Sequence, residues 1–199
     1  MLHKERQNIR HMNKNILSLL FMLFPVIASA QVTKPGEIFT QVYTVEDKVV
    51  FLKEIEPKEN DLEKNYFILK EWIKINYAKD PFNSNSNYDN KNHSVMATTR
   101  VELLLPPNIA GIQEKITMKY RLDVFFSGNL CVIEISGITF QNKAKENSNT
   151  LPKKITAEDM ISDIVISIDD SNKETRINTR KSTIYYFNEL LATLQNVLN

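Results

Sequence analysis

The strongest constraint on the fold is a strict alternation of apolar and polar residues over positions 115–126. Apolar side chains occupy every second position, and the positions between them are mostly charged or polar; the apolar set is Ile116, Met118, Tyr120, Leu122, Val124 and Phe126. Successive side chains of a strand point to opposite faces of a sheet, so this segment predicts a strand with one dry and one wet face. Other elements must then cover the dry face.

Neighbouring segments predict partner strands for this one. Residues 95–105 alternate in the same way until Pro106, and residues 130–140 follow the turn sequence at 127–129. A further strand is predicted over residues 43–55 from its β-branched and aromatic content. Because tight turns join antiparallel strands, the set predicts an antiparallel sheet with one covered face.

Two segments with helical spacing are predicted to cover that face. Residues 62–77 carry a broad apolar stripe that includes Trp72, and a polar loop is predicted to follow at 83–87. Ser171 and Glu174 have the spacing of a capping box and predict the start of a long C-terminal helix. Its narrow stripe consists of Ile177, Ile184, Phe187, Leu191, Leu194 and Leu198.

The fold class that follows is α+β, with the strand and helix order β-α-β-β-β and a long C-terminal helix on one face of the sheet. Residues 156–168 have apolar positions at helical spacing, which favours a helix. Positions 164–166 fit a short strand equally well, and the pattern does not decide between the two.

The first 30 residues have the pattern of a bacterial secretory signal peptide. A basic head precedes a twelve-residue apolar run at 16–27, and the small residues at 28–30 are typical of a cleavage site. We predict export to the periplasm or the cell surface, with cleavage after Ala30 and Met12 as an alternative start. The remainder divides into an extended lead-in at 31–41 and a single domain at 42–199.

Charge and cysteine content exclude several classes of protein. Four of the 25 basic and one of the 24 acidic residues lie in the leader, so 21 basic and 23 acidic residues remain. This balance disfavours a nucleic-acid partner, which usually requires a basic excess. Cys131 is the sole cysteine and cannot form an internal disulfide. No second long apolar run follows the leader, so no transmembrane segment is predicted.

Part of the chain resembles a family of exported proteins of Bacteroidetes-type bacteria, a domain of unknown function with a TBP-like fold. The likeness covers roughly residues 42–141. It is carried by the strand at 49–55, by Phe67 with Trp72-Ile73 on the helix, and by the meander at 119–124, 131–135 and 137–140. The resemblance implies a strand, a helix, a meander and a terminal helix, together with export. It implies no activity and no cofactor.

Few residues have the pattern of a catalytic or metal site. His93 is the only histidine after the leader and is interpreted as a solvated loop residue, since a nucleophile relay requires further groups in contact with it. Cys131 lies in an apolar strand and is interpreted as a core residue. Residues 83–89 place side-chain oxygens at alternate positions, as a calcium loop does, but lack its glycine and its final glutamate.

Adjacent acidic residues are interpreted as solvated or helix-capping charges rather than as a catalytic pair. These pairs are Glu54 with Glu56, Glu158 with Asp159, and Asp169 with Asp170.

A cavity between the C-terminal helix and the sheet is the main functional hypothesis. Aromatic residues at helical spacing usually pack a core, but a long helix on a curved sheet can leave a void. The aromatic candidates are Tyr66, Phe67, Trp72, Tyr185, Tyr186 and Phe187. The residues predicted to line the cavity are Trp72, Met118, Tyr120, Leu122, Phe187 and Leu191.

The function expected is that of an exported, non-enzymatic domain of the cell envelope. Two versions are open: a carrier of a small apolar or amphipathic ligand, and a module that binds an envelope protein through an apolar patch or a strand edge. An enzyme with a site not recognisable from sequence is the alternative.

Overall fold

An antiparallel sheet of seven strands forms the framework of the molecule. The computed structural model describes residues 32–77, 80–142 and 153–199. The strands are β1 (Tyr43–Val45), β2 (Lys48–Ile55), β3 (Ser84–Asp89), β4 (Ser94–Leu104), β5 (Lys115–Ser127), β6 (Leu130–Asn142) and β7 (Lys154–Thr156). Their order is β1-β2-β6-β5-β4-β3, and β7 pairs with β6 beyond the end of β2.

Within the described ranges, four helices pack against the sheet or one another: α1 (Leu62–Tyr77), α2 (Ala157–Ile161), α3 (Asp163–Ile166) and α4 (Lys173–Leu198). The α+β class and the long C-terminal helix are therefore as predicted, and α1 has the predicted bounds. Of the helices in the described ranges, none is both long and apolar enough to cross a membrane.

The predicted dry face of β5 is confirmed. Its alternate residues from Ile116 to Val124 are at most 1% exposed, while Lys119 and Arg121 between them are exposed. Facing residues of α1 (Leu69, Ile73) and α4 (Phe187, Leu194) are fully buried. Burial of such a side chain contributes about 1.5–3 kcal/mol, so this layer accounts for much of the stability.

The segment at 43–55, predicted as one strand, is instead a β-hairpin. Glu46 and Asp47 both have positive φ, 49° and 60°, and join β1 to β2 with Val45 opposite Lys48. Positive φ at both central residues is the requirement of a type I′ turn, which normally carries Asn-Gly. Neither Glu46 nor Asp47 is glycine or asparagine, so the sequence signal for this turn is missing.

The polar segment predicted as a loop at 83–87 belongs largely to an edge strand. Every residue of β3 pairs with β4, from Ser84 opposite Thr99 to Asp89 opposite Ser94. Its backbone completes the hydrogen-bond ladder of β4 although its side chains are almost all polar. Hydropathy therefore could not reveal it.

The ambiguous segment at 156–168 is mainly helical, and positions 164–166 lie in α3. Residues 154–156 form β7 beside β6, and two short helices follow instead of one. Thr156 caps α2, since its hydroxyl accepts a hydrogen bond from the Asp159 amide at 3.3 Å. The helical interpretation is therefore confirmed, with two short helices in place of one, and the alternative of a short strand at 164–166 is wrong.

The capping box predicted from Ser171 and Glu174 is wrong. Helix α4 begins after Asn172, and no side-chain cap is formed there. The Glu174 carboxylate instead accepts a hydrogen bond from the Ile109 amide, 2.8 Å away in the β4–β5 loop. A long-range contact has taken the place of the local one.

A β-bulge keeps both halves of β6 facing the core. Arg121 lies opposite Ser136 and Lys119 opposite Thr139, so two residues of β6, Gly137 and Ile138, oppose one of β5. Gly137 has φ of +60°, a conformation that suits glycine. The shift turns Ile138 and Phe140 to the side already occupied by Ile135, and all three are buried.

The lead-in at 32–41 is attached to the domain at several points. Thr33 forms a parallel bridge with Lys53, and Phe39 is 2% exposed in the core. The Asn188 side chain of α4 accepts from the Phe39 amide at 2.8 Å and donates to the Phe39 carbonyl at 2.9 Å. The fold thus uses residues from Thr33, the third residue after the predicted cleavage site, which itself lies outside the described residues.

Candidate functional site

A groove beside α4 is the best-formed apolar concavity of the described structure. We call it the α4 groove; its volume is about 440 Å³. It is lined by Glu102, Leu103, Leu104, Leu105, Pro106, Gln113, Lys181, Ser182, Tyr185, Tyr186 and Glu189. A larger hollow of about 610 Å³ lies along residues 32–43, but polar groups predominate on its surface.

The groove exists because β4 ends at Leu104 and the following loop runs along α4. Ser182 donates to the Leu104 carbonyl at 3.0 Å, and Asn178 donates to the Pro106 carbonyl at 3.4 Å. Pro106 has no backbone N–H and cannot extend the ladder. These contacts fix one wall of the groove against the helix.

The floor of the groove is buried, and its walls expose large apolar groups. Leu103 and Leu105 are 4% and 3% exposed, whereas Leu104 is 52% and Tyr185 68% exposed. Lys181, Glu189 and Glu102 carry charges around the rim. Apolar walls with a few polar groups are typical of sites for small amphipathic molecules.

A row of three tyrosine hydroxyls connects the core with the groove. Tyr120 bonds to Tyr77 at 3.0 Å and to Tyr186 at 3.1 Å, and Tyr186 lines the groove. Burial raises the pKa of Tyr77, Tyr120 and Tyr186 above the ordinary value of 10.0. All three therefore remain neutral phenols at physiological pH and can donate hydrogen bonds.

The residues predicted to line a cavity lie in the core of the domain. Met118, Tyr120, Leu122 and Phe187 are at most 1% exposed, and the Tyr120 and Phe187 rings meet edge to face at 5.1 Å. Trp72 is 5% exposed and packs on Tyr77. Leu191 borders a hollow of about 90 Å³ beside Lys53 and Asn188.

Two of the wider set of aromatic candidates do reach the groove. Tyr185 and Tyr186 line it, whereas Phe67 is 62% exposed on α1 and Tyr66 is buried. The sequence offered no signal for Leu104 or Ser182, because they belong to a site only through the contact between β4 and α4.

His93 is not a free loop residue. It has φ of 48° in the β3–β4 turn; its Nε2 lies 2.8 Å from Glu63 Oε1, and its ring meets Tyr66 edge to face. The side chain is 19% exposed. These contacts hold the turn against the start of α1, and among the described residues no serine or cysteine hydrogen-bonds to the imidazole.

Cys131 lies in the core, as predicted from its strand. It is fully buried, and burial raises the pKa of its thiol to about 12. A reactive cysteine requires the opposite environment, exposed and electropositive. The thiol therefore has a packing role.

The alternate oxygens at 83–89 do not converge. Asn85, Asn87 and Asp89 lie along one side of a strand, which rises about 3.3 Å per residue, so the outer two are about 13 Å apart. Asp89 accepts instead from the Asn92 side chain and two turn amides, which lower the pKa of its carboxyl. Within the described ranges, no cluster of three or more His, Cys, Asp or Glu side chains could hold a metal ion.

Two of the three acidic pairs, Glu158 with Asp159 and Asp169 with Asp170, have structural partners. Glu158 accepts from the Val49 amide at 2.8 Å, and Asp159 accepts from the Thr156 hydroxyl at 3.0 Å. Asp170 binds the buried Arg176 at 2.9 Å, and Asp169 binds Lys173 at 3.2 Å. None of these pairs faces a second carboxylate across a cleft in the described structure.

Comparison with solved structures confirms the TBP-like fold. The chain is similar to a TBP-like protein from Parabacteroides distasonis ATCC 8503, with a TM-score of 0.66, 22% identity, and coverage of 78% of this chain and 96% of that one. It is also similar to a DUF4468 family protein from Bacteroides ovatus ATCC 8483, with a TM-score of 0.62, 15% identity, and coverage of 81% and 92%.

These likenesses establish the fold, and both neighbours come from Bacteroidetes, as the resemblance in sequence implied. TBP-like and DUF4468 denote a fold and a domain of unknown function, so neither carries an activity over to this chain. No protein-family model and no curated protein matches the chain.

Proposed function

We propose that the protein is an exported, non-enzymatic binding module of the cell envelope that holds a small amphipathic molecule in the α4 groove. The observation that carries the proposal is the groove itself, which has apolar walls of Leu104, Pro106 and Tyr185 beneath a charged rim. Its volume of about 440 Å³ is within the range of small-molecule sites. The burial of Met118, Tyr120 and Phe187 in the core favours this open surface over a cavity under α4 as the ligand site.

The export part of the proposal rests on the leader pattern. Cleavage after Ala30 leaves Thr33 and Phe39 in place, which the fold uses. The test is expression with the leader in a bacterial host, followed by denaturing mass spectrometry of the periplasmic fraction. A chain starting at Gln31 is expected, and an intact leader or a cytosolic product would refute export.

Ligand binding is tested with 8-anilinonaphthalene-1-sulfonate, an aromatic amphipathic probe. We expect saturable binding to the purified protein, weakened about tenfold in Leu104→Ser because an apolar contact of roughly 1.5 kcal/mol is lost. Leu62→Ser is the matched control, since Leu62 is 41% exposed at the start of α1, outside the groove.

Equal affinity in both variants would refute the groove as the site. Native mass spectrometry of the periplasmic protein adds a second readout. A discrete mass increment that is absent from Leu104→Ser would identify the natural ligand.

A second candidate, capture of an envelope protein, is favoured by the loop beside the groove. Ile109 is 95% and Ile112 58% exposed there, an unusual exposure for two isoleucines so close together. Cross-linking in native envelope, followed by comparison with a double variant Ile109→Ser and Ile112→Ser, tests this candidate. A specific partner that is lost in the double variant would support it.

A further inference from the structure

A cluster of three cations lies on the sheet face opposite the helices. Arg100 of β4, Lys119 of β5 and Lys154 of β7, which we call the basic trio, surround a depression of about 150 Å³. Register fixes their positions: Arg100 pairs with Lys119, and Lys154 pairs with Gln141 of β6. Strands β4, β5 and β7 thus bring the three cations together on one face.

The pairing of Arg100 with Lys119 opposes the stability of the sheet. Directly opposed side chains of antiparallel strands have Cβ atoms about 5 Å apart, and like charges at this distance repel. Among the described residues, no carboxylate forms an ion pair with Arg100, Lys119 or Lys154. Glu102, two residues after Arg100 on β4, forms an ion pair with Lys115 at 2.7 Å.

Polar groups fill the floor between the cations. Thr117 and Thr139 contribute hydroxyls and Gln141 an amide, and all three line the depression. Thr139 is opposite Lys119, and Thr117 is opposite Gln141. Hydroxyl and amide donors beneath converging cations match the oxygens of a tetrahedral oxyanion.

We propose that the basic trio binds a phosphate group, as free phosphate or as the phosphomonoester of a lipid headgroup. The bound anion neutralises the opposed pair and accepts hydrogen bonds from the guanidinium, the two ammonium groups and the Thr117 and Thr139 hydroxyls. This site is separate from the α4 groove, and its test does not depend on ligand binding there.

The experiment is titration of the ¹⁵N-labelled protein with inorganic phosphate at constant ionic strength, with sodium chloride as the reference salt. Saturable shifts are expected at the amides of Thr117, Lys119 and Thr139. Lys119→Gln and Arg100→Gln should each weaken binding at least about tenfold, the loss expected for a charge-assisted hydrogen bond. Lys91→Gln is the matched control, because Lys91 lies in the β3–β4 turn, away from the trio.

A second readout separates a binding site from a structural cluster. Without phosphate and at low salt, Lys119→Gln should raise the Tm by about 1–2 °C, because one member of a repelling pair is removed. The gain should disappear at high salt, which screens the repulsion. A lower Tm at low salt would mean that the trio stabilises the sheet, and would overturn the proposal.

Vesicles separate the two sources of phosphate. The wild-type protein is mixed with vesicles that contain phosphatidic acid or with phosphatidylcholine vesicles and then sedimented. If it sediments only with the phosphatidic acid vesicles, and Lys119→Gln abolishes this binding, the phosphate belongs to a lipid headgroup. Saturable binding of inorganic phosphate alone would identify the free anion. Absence of both responses, or equal responses in Lys119→Gln and wild type, would refute the site.

Discussion

Individual polar groups inside the core have defined partners. The hydroxyl of Tyr120 bonds to both Tyr77 and Tyr186, and the buried Thr179 and Thr183 bond to carbonyls one turn earlier in α4. Lys53 is 4% exposed and donates to the Lys34 carbonyl at 3.0 Å and to the Glu37 carbonyl. An unsatisfied buried polar group is costly, so these residues tolerate substitution poorly.

Removal of the Tyr120 hydroxyl should destabilise the protein more than removal of the Tyr186 hydroxyl. In Tyr120→Phe the buried Tyr77 hydroxyl loses its partner, at a cost of about 1–3 kcal/mol. In Tyr186→Phe the Tyr120–Tyr77 bond remains, and the loss should be about 0.5–1.5 kcal/mol. Urea denaturation measures both, with the exposed Tyr185→Phe as the control, expected within about 0.5 kcal/mol of wild type. A reversed order would refute the chain of hydroxyls.

Cys131 should react only when the protein unfolds. Its thiol is fully buried and its pKa is raised to about 12, so hardly any thiolate is available at pH 8. The measurement is the rate of modification by Ellman's reagent in buffer and in urea. Modification in buffer should be limited by the unfolding rate, and rapid stoichiometric reaction of the native protein would contradict the buried position.

At the scale of elements, two hairpins show how turn chemistry and strand pairing can disagree. Gly128 supplies positive φ at the first turn position between β5 and β6, as a type II′ turn requires. The β1–β2 turn has positive φ at Glu46 and Asp47 and contains no glycine. The pairing of its flanking residues holds a turn that the local sequence does not favour.

The double variant Glu46→Asn and Asp47→Gly should therefore stabilise the protein, by about 1 kcal/mol. A side chain such as that of glutamate is strained in the left-handed region, while Asn-Gly is the preferred pair for this turn. Thermal or urea denaturation tests the gain. The control is Glu114→Asn, because Glu114 is exposed in a loop and does not have positive φ. Its free energy of unfolding should stay within about 0.5 kcal/mol of wild type. A loss of stability in the double variant would argue against the turn.

For the whole molecule, the buried tyrosines predict how stability depends on alkaline pH. Unfolded tyrosines release protons near pH 10.0, whereas the raised pKa values of Tyr77, Tyr120 and Tyr186 keep them protonated in the folded state. Above pH 10 the unfolded state thus binds fewer protons, and stability falls as pH rises. The contribution of these residues is fully present below pH 10.

Lys53 acts in the opposite direction, because burial lowers its pKa from 10.5 and stability gains as pH rises towards that value. Because the effect of three tyrosines exceeds that of one lysine, the free energy of unfolding is expected to decrease as the pH rises above 10. Each tyrosine contributes at most about 1.4 kcal/mol per pH unit. Urea denaturation at pH 8, 10 and 11 measures the slope, and Tyr186→Phe should reduce it. A constant stability from pH 10 to 11 would contradict the prediction.

The strands and helices with a strong period could be predicted because their signal is local. β5 and α1 bury one side chain in every turn or pleat, and that repetition is visible in residues 62–77 and 115–126. β3 could not be predicted in this way. Its backbone pairs with β4 while its side chains remain polar, so strand pairing rather than hydropathy determines it.

The sequence by itself determined the fold class, the dry face of the sheet, the buried state of Cys131 and the resemblance to a TBP-like family. Only the tertiary structure decided where a ligand can lie. Leu104 and Ser182 meet across 78 positions of the chain, and Arg100, Lys119 and Lys154 come from three strands. Periodicity reports which side of an element is buried, because burial repeats along that element. It does not report which elements become neighbours, and the α4 groove and the basic trio both depend on neighbours.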